Sequence, residues 1–311
     1  MLICITSTTL FLLLLRIIAQ RKDFQTGSSI LIIHLIIQEC IICGLCSPLQ
    51  TVSMFINFHQ HKATHTGIHC PTYLLLYITT IHANSWLAVF LAFNRYVAVL
   101  YPLKYKWWIR KNLLRAMIVT SWLIGIVATS SQLFADDNVS QPKPPFYRCE
   151  IGAQSQSALT IATAIGNYIP LSLIFILYFT IFIRTIHRSR QDVTCIEQDR
   201  KTLRRRIVVA RMLFVSALWY LACLLPLPIL ITAFNDALKK DPVMQLWLRT
   251  VFLCGYAANP LIFFALNMDY RDAARAMCDR VLKRPESVAS QSESNEMSTF
   301  ISSRQDPEKS H

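Results

Sequence analysis

The chain has 311 residues, 53% of them hydrophobic and only 16% charged, with a mean hydropathy of +0.38. A soluble domain carries about a quarter charged residues, so this composition argues against one and favours a membrane protein. The net charge of +13 would suit a nucleic-acid partner, but so high an apolar fraction argues against that class; where the basic residues lie is more informative.

Seven apolar stretches follow one another, at roughly 1–20, 29–56, 70–100, 112–134, 156–186, 204–233 and 244–266. Most exceed the ~20 residues with which an α-helix crosses a bilayer. In lipid only helices and closed barrels satisfy their own backbone polar groups, and these runs lack the alternation of barrel strands. The expected fold is therefore all-α, a seven-transmembrane helix bundle. The first stretch opens at Met1 and meets Arg16 early; it reads as a short first helix, truncated at its N-terminus, with a signal peptide as the alternative. Residues 1–283 form the bundle domain, ending in an amphipathic stretch, MDYRDAARAMCDRVLKR, suited to the inner membrane surface. Residues 284–311 read as a disordered cytosolic tail.

Lys and Arg are distributed unequally over the breaks between stretches. One alternate set, which includes Arg21, Lys104, the 184–206 region and the C-terminal tail, holds 21; the other, beginning at Lys62, holds five. The positive-inside rule places the richer set in the cytosol, with the N-terminus outside. The ten cysteines show no repeated CxxC spacing and so no zinc framework. The loop HQHKATHTGIHC carries His59, His61, His65 and His69, which could take zinc or sense acid; a solvated loop without metal is the plainer alternative. No nucleophile–base pair supports an enzyme.

Arg95 closes the third stretch, 25 residues after Cys70. At 1.5 Å per residue that is roughly 38 Å of helix, enough to put Cys70 at the outer boundary and Arg95 at the inner one. On position alone, Arg95 could simply extend to cytosolic headgroups. Its surroundings narrow the choice. Asn94-Arg95-Tyr96 is followed by Val97-Ala98-Val99 and then Pro102-Leu103, and further landmarks fall one per stretch: Cys70, Trp122, Pro170 with Tyr178, Cys223-Leu224-Leu225-Pro226, and Asn259-Pro260-Leu261-Ile262-Phe263. Together these resemble the signature positions of rhodopsin-like (class A) G-protein-coupled receptors, over about residues 1–283.

The resemblance implies a receptor that transduces an extracellular ligand to a heterotrimeric G protein, with arrestin as a further partner of a phosphorylated tail. It implies plasma-membrane residence among membrane lipids, with no cofactor. It pairs Cys70 with Cys149 of the second outer loop, where an oxidising environment permits a disulfide; free thiols are the alternative. In the same loop Asn138-Val139-Ser140 is an Asn-x-Ser glycosylation acceptor. Cys278 stands where S-palmitoylation is expected. Pro226 and Pro260, with Pro170, remove backbone donors inside spanning helices and would act as hinges, or as static kinks. Leu103 sits where the family inserts an apolar side chain into the G protein.

Several positions depart from the family pattern. Asn94 replaces the acid that precedes the arginine, and Arg206 replaces the acid at the base of the sixth segment, so Arg95 loses two negative partners and faces a like charge. The expected consequence is raised basal signalling. Leu224 stands for the usual tryptophan and Phe263 for the usual tyrosine, whose hydroxyl Tyr178 would otherwise share through water. Glu39, Asn84 and Asn259 occupy the family's interior sodium-and-water site, with Glu39 for aspartate and Gly255 for the seventh-segment polar partner. A proton held on Glu39 is the competing reading, since a bare charge is costly away from water.

The ligand cleft is expected among Tyr77, Ile81, Leu227, Ile231, Phe234, Gln245 and Arg249. Tyr77 stands where amine receptors carry an aspartate, and Leu253 where opsins carry a lysine, which disfavours both classes. Arg249 could pair with a carboxylate or phosphate, favouring a peptide or an acidic lipid or small anion; outward extension to headgroups is the alternative. Two other function classes stay open: a non-signalling decoy receptor, because of the altered switch residues, and a small transporter. No inverted repeat supports the latter.

Overall fold

The computed structural model describes residues 2–20, 29–60, 69–101, 105, 107–133, 141–143, 146, 148–150, 156–191, 214–234, 238, 240–266, 271–272 and 275. Six of the described helices are long and apolar enough to cross a membrane: Leu2–Gln20, Ser29–Ile56, Cys70–Leu100, Lys111–Leu133, Ser157–His187 and Phe214–Ala233. The seventh segment consists of two shorter helices, Pro242–Ala257 and Asn259–Leu266, divided at Ala258. Pro260 explains the division: it lacks an N–H, and its ring conflicts with the carbonyl four residues back. Asp241 starts the segment by accepting hydrogen bonds from the backbone N–H groups of Val243 and Met244 at 2.9 and 3.1 Å, an N-cap that satisfies two donors the helix leaves open.

Two segments widen into a single π turn. In the second segment it spans Ile41–Cys46, and in the fifth Ala164–Tyr168. Each precedes a proline, Pro48 and Pro170, and each proline stands four residues after a glycine, Gly44 and Gly166. The ring would press on the glycine's carbonyl in a regular helix; a wider turn relieves that conflict and leaves carbonyls open. In the second segment the Ser47 hydroxyl donates to Ile42 O at 2.9 Å. In the fifth, Trp86 of the third segment donates its ring N–H to Ile165 O at 3.0 Å. Ile42 O also accepts the Ser47 backbone N–H, so the first wide turn gains its extra bond from its own segment and the second from a neighbouring helix.

The third segment is the axis of the bundle and packs chiefly against the fourth and fifth. At one level Val89 and Ala92 bury against Ile174, Tyr178 and Ile181 of the fifth segment and Ala217 of the sixth. At the other end Cys70, Tyr73 and Leu74 pack with Cys46, Leu133 and Cys149. Between fourth and third segments the approach is closest at Gly125, where an added Cβ would lie 2.8 Å from Thr79 O. Trp122 of the fourth segment donates to His34 of the second at 3.2 Å.

The helical expectation holds for the bundle, and one small element adds to it. Gln141–Lys143 and Arg148–Glu150 pair as an antiparallel ribbon, with Pro142 opposite Cys149. Three-residue strands in a polar, proline-bearing loop carry no periodicity from which to read them. The chain divides into two units, Met1–Ile262 and Phe263–His311. In the second, Arg275 and Asp272 form an exposed ion pair at 3.9 Å.

Candidate functional site

The disulfide joins Cys70 to Cys149, 79 positions apart in sequence, with Cα atoms 5.4 Å apart. It fixes the ribbon strand Arg148–Glu150 to the first turn of the third segment. Beside it, the Tyr73 hydroxyl donates to Cys46 O at 3.2 Å. The Tyr73 and Tyr77 rings stack at 5.7 Å. Arg249 of the seventh segment lies within electrostatic reach of the Tyr73 hydroxyl, and Tyr77 within reach of that of Tyr256. Tyr73, Tyr77 and Arg249 thus come together between third and seventh segments, at the disulfide end of the bundle. The other expected cleft residues are less uniformly placed. Ile81, Leu227 and Gln245 are buried and Ile231 is half-buried, whereas Phe234 is 56% exposed at the end of its helix. Gln245 donates to Leu238 O at 2.7 Å.

At the opposite end of the third segment Asn94 is fully buried, and neither its amide N–H group nor its carbonyl oxygen has a hydrogen-bond partner. Arg95 is half-buried and lies within electrostatic reach of the Tyr178 hydroxyl. Among the described residues no carboxylate pairs with it. Tyr96 stacks on Phe93 at 6.2 Å, and Phe93 meets the edge of Trp108 at 5.1 Å.

Midway along the bundle, Asn259 donates its amide N–H to Glu39 Oε1. Asn84 lies near the same carboxyl group, its amide N–H without a hydrogen-bond partner, and it accepts the Tyr220 hydroxyl on Oδ1 at 2.9 Å. Glu39 and Asn84 are fully buried, and Asn259 is nearly so. The oxygens left without a hydrogen bond there are Glu39 Oε2 and the hydroxyl of the fully buried Tyr256. A hard cation needs several oxygen ligands at once. Here Glu39 Oε1 takes the Asn259 N–H, the Asn84 oxygen is taken by a hydroxyl proton, and Gly255 supplies no side chain. These residues do not fit a bound sodium ion.

Reading from sequence missed Tyr220, Tyr256 and His82. His82 is 2% exposed, with Nδ1 3.4 Å from the Thr129 hydroxyl, and its ring fills the space a Gly166 side chain would need. An ionisable residue inside an apolar stretch was the available signal for it; the tyrosines gave none, because an aromatic in an apolar run reads as packing.

His69 is exposed beside the Thr72 hydroxyl, 2.9 Å from Nδ1. Among the described residues no group of three or more His, Cys, Asp or Glu could hold a metal. Leu103, Asn138, Arg206, Cys278, His61 and His65 lie outside the described residues, as do the side chains of His59 and Phe263.

The family model described as 7 transmembrane receptor (rhodopsin family) matches residues 12–263. The chain belongs to the rhodopsin family of seven-transmembrane receptors. It is a multi-pass membrane protein of a receptor family, not of an enzyme family. The chain is 24% identical to the adenosine receptor A2b of Rattus norvegicus over 266 residues, covering 76% of this chain and 77% of the relative. To the RYamide receptor of Tribolium castaneum it is 22% identical, with 82% and 72% covered. To neuropeptide receptor 22 of Caenorhabditis elegans it is 21% identical, with 84% and 64% covered.

Proposed function

We propose that this rhodopsin-family receptor resides in the plasma membrane with its N-terminus outside, and couples an extracellular ligand to a heterotrimeric G protein through Arg95. The observation that carries the reading is the state of the Arg95 end. Asn94 is buried and offers no negative charge, and no described carboxylate holds the arginine. An arginine so placed is free to reorient toward a partner when the sixth segment moves. Pro226 and Pro260 are the hinges of that movement, Tyr178 its neighbour on the fifth segment, and Tyr96 and Leu103 the flanking contact surface. Arg206 adds like charge rather than restraint, so a shift between bundle states needs less ligand free energy. Phosphorylation of the tail would recruit arrestin.

The ligand is a peptide, an acidic lipid or a small anion. Support comes from Arg249 beside Tyr73 and Tyr77, a cationic fork with aromatic walls at the disulfide end. Two of the relatives are named as receptors for RYamide and for neuropeptides. The test is a screen of peptides and acidic lipids for receptor-dependent guanine-nucleotide exchange, repeated on the hit with Arg249→Ala. A potency loss of about tenfold or more is expected, on the order of one charge-assisted hydrogen bond; unchanged potency contradicts the anion reading. A decoy receptor is the second reading, favoured by Leu224, which packs against Gly255; binding of the hit without exchange on any heterotrimer would select it.

A further inference from the structure

We propose that the second, third, sixth and seventh segments are closed by a cation-independent hydrogen-bond latch, in which Tyr220 is the positioning residue of the sixth segment. The latch is two hydrogen-bonded pairs lying side by side, with one side chain from each segment. Asn259 donates to Glu39, Asn84 lies against the same carboxyl group, and the Tyr220 hydroxyl donates to Asn84 at 2.9 Å. The same hydroxyl lies beside Asn259, so the sixth segment reaches both the Asn84 amide and the amide that bonds the carboxyl group.

Aromatic packing reinforces the two polar pairs. Tyr220 meets the Tyr256 ring edge-on at 5.9 Å, and Phe252 meets the same ring at 5.4 Å. Tyr256 is fully buried. One turn further along the sixth segment, Leu224 lies on the same helix face as Tyr220, at the i, i+4 spacing. It presses on Gly255, where an added Cβ would stand 2.9 Å from Leu224 Cδ2 and 3.0 Å from Cys223 Cβ. One face of the sixth segment therefore gives a hydroxyl to the third and an apolar side chain to the seventh. Between these contacts the hydrogen bond to the carboxyl group comes from a neutral amide, that of Asn259. A latch of this kind responds to loss of a hydroxyl and not to exchange of the salt.

The test uses the purified full chain in detergent micelles and needs no ligand or G protein, so its failure is separate from failure of the signalling reading. Thermal melting is compared in sodium chloride and choline chloride at equal ionic strength. Hydrogen exchange of residues 214–225 is followed in parallel, for the wild type, Tyr220→Phe, Asn84→Ala and the double variant. Tyr220→Phe keeps the ring and removes only the hydroxyl. The expected result is the same wild-type midpoint in both salts and a fall of about 2–4 °C for Tyr220→Phe. Exchange should quicken in 214–225 but not in the fourth segment. With Asn84→Ala already present, Tyr220→Phe should add nothing, because the bond is already gone. Glu39→Gln keeps an acceptor for Asn259 and should retain wild-type exchange in 214–225, which provides a reading if Tyr220→Phe does not purify. A sodium-specific rise in the wild-type midpoint would overturn the proposal. So would additive effects of the two single variants, or quickened exchange of 214–225 in Glu39→Gln.

Discussion

Where the third segment meets the fourth, backbone lies on backbone: Gly125 comes so close that an added Cβ would stand 2.8 Å from Thr79 O and 3.1 Å from Ala83 N. Where it meets the sixth at a similar level, contact is made by the end of a side chain, the Tyr220 hydroxyl on Asn84. The sixth and seventh segments likewise touch through Leu224, a flexible side chain, at Gly255. Backbone contacts have no rotamer to change, so the third and fourth segments behave as one body. Side-chain contacts can be released singly and remade, which suits a helix that moves. One bundle thus contains a fixed seam and a releasable one, and the difference lies in what stands opposite each glycine.

This contrast can be broken deliberately, and the largest effect is expected at the fixed seam. Gly125→Val must displace main chain, so a loss of about 3 kcal/mol or more is expected, read as loss of folded receptor at the cell surface. Next comes the outer staple. Cys149→Ser opens the Cys70 link and should cost about 2–4 kcal/mol, seen as a lower melting midpoint that reducing agent no longer changes. Gly255→Ala meets Leu224, which can rotate, and Cys223 Cβ at 3.0 Å, so about 2 kcal/mol is expected there. Its signature would be a change in agonist-independent signalling at near-normal surface amount, which Gly125→Val cannot show. The smallest effect should follow Asp241→Ala, which removes the N-cap of the seventh segment; about 1 kcal/mol is expected, with signalling unaltered.

The segments were legible because each long apolar run demanded a helix, and the runs at 29–56 and 70–100 match helices found at Ser29–Ile56 and Cys70–Leu100. The cysteine pair and the deep polar residues stood out because such residues are conspicuous in apolar surroundings. Less could be read of what connects them. Tyr220 and Tyr256 looked like packing, and only their neighbours show that one hydroxyl donates to Asn84 and the other is buried without a bond. The π turns were hidden as well, although the repeated glycine four residues before proline, at Gly44 and Pro48 and again at Gly166 and Pro170, is the pattern to look for. Exposure of Phe234 depends on where the sixth helix ends, which apolar periodicity does not fix.

The central claim is that Arg95 serves a signalling receptor whose resting restraint is weak. The most direct measurement is agonist-independent guanine-nucleotide exchange on a panel of heterotrimers, using membranes that carry equal surface amounts of wild type, Asn94→Asp and Arg95→Ala. Wild type should exceed Asn94→Asp on at least one heterotrimer, because the new carboxylate beside Arg95 restores the missing restraint, and Arg95→Ala should fall to the level of receptor-free membranes. Wild-type exchange no higher than that of Asn94→Asp on every heterotrimer would contradict the claim.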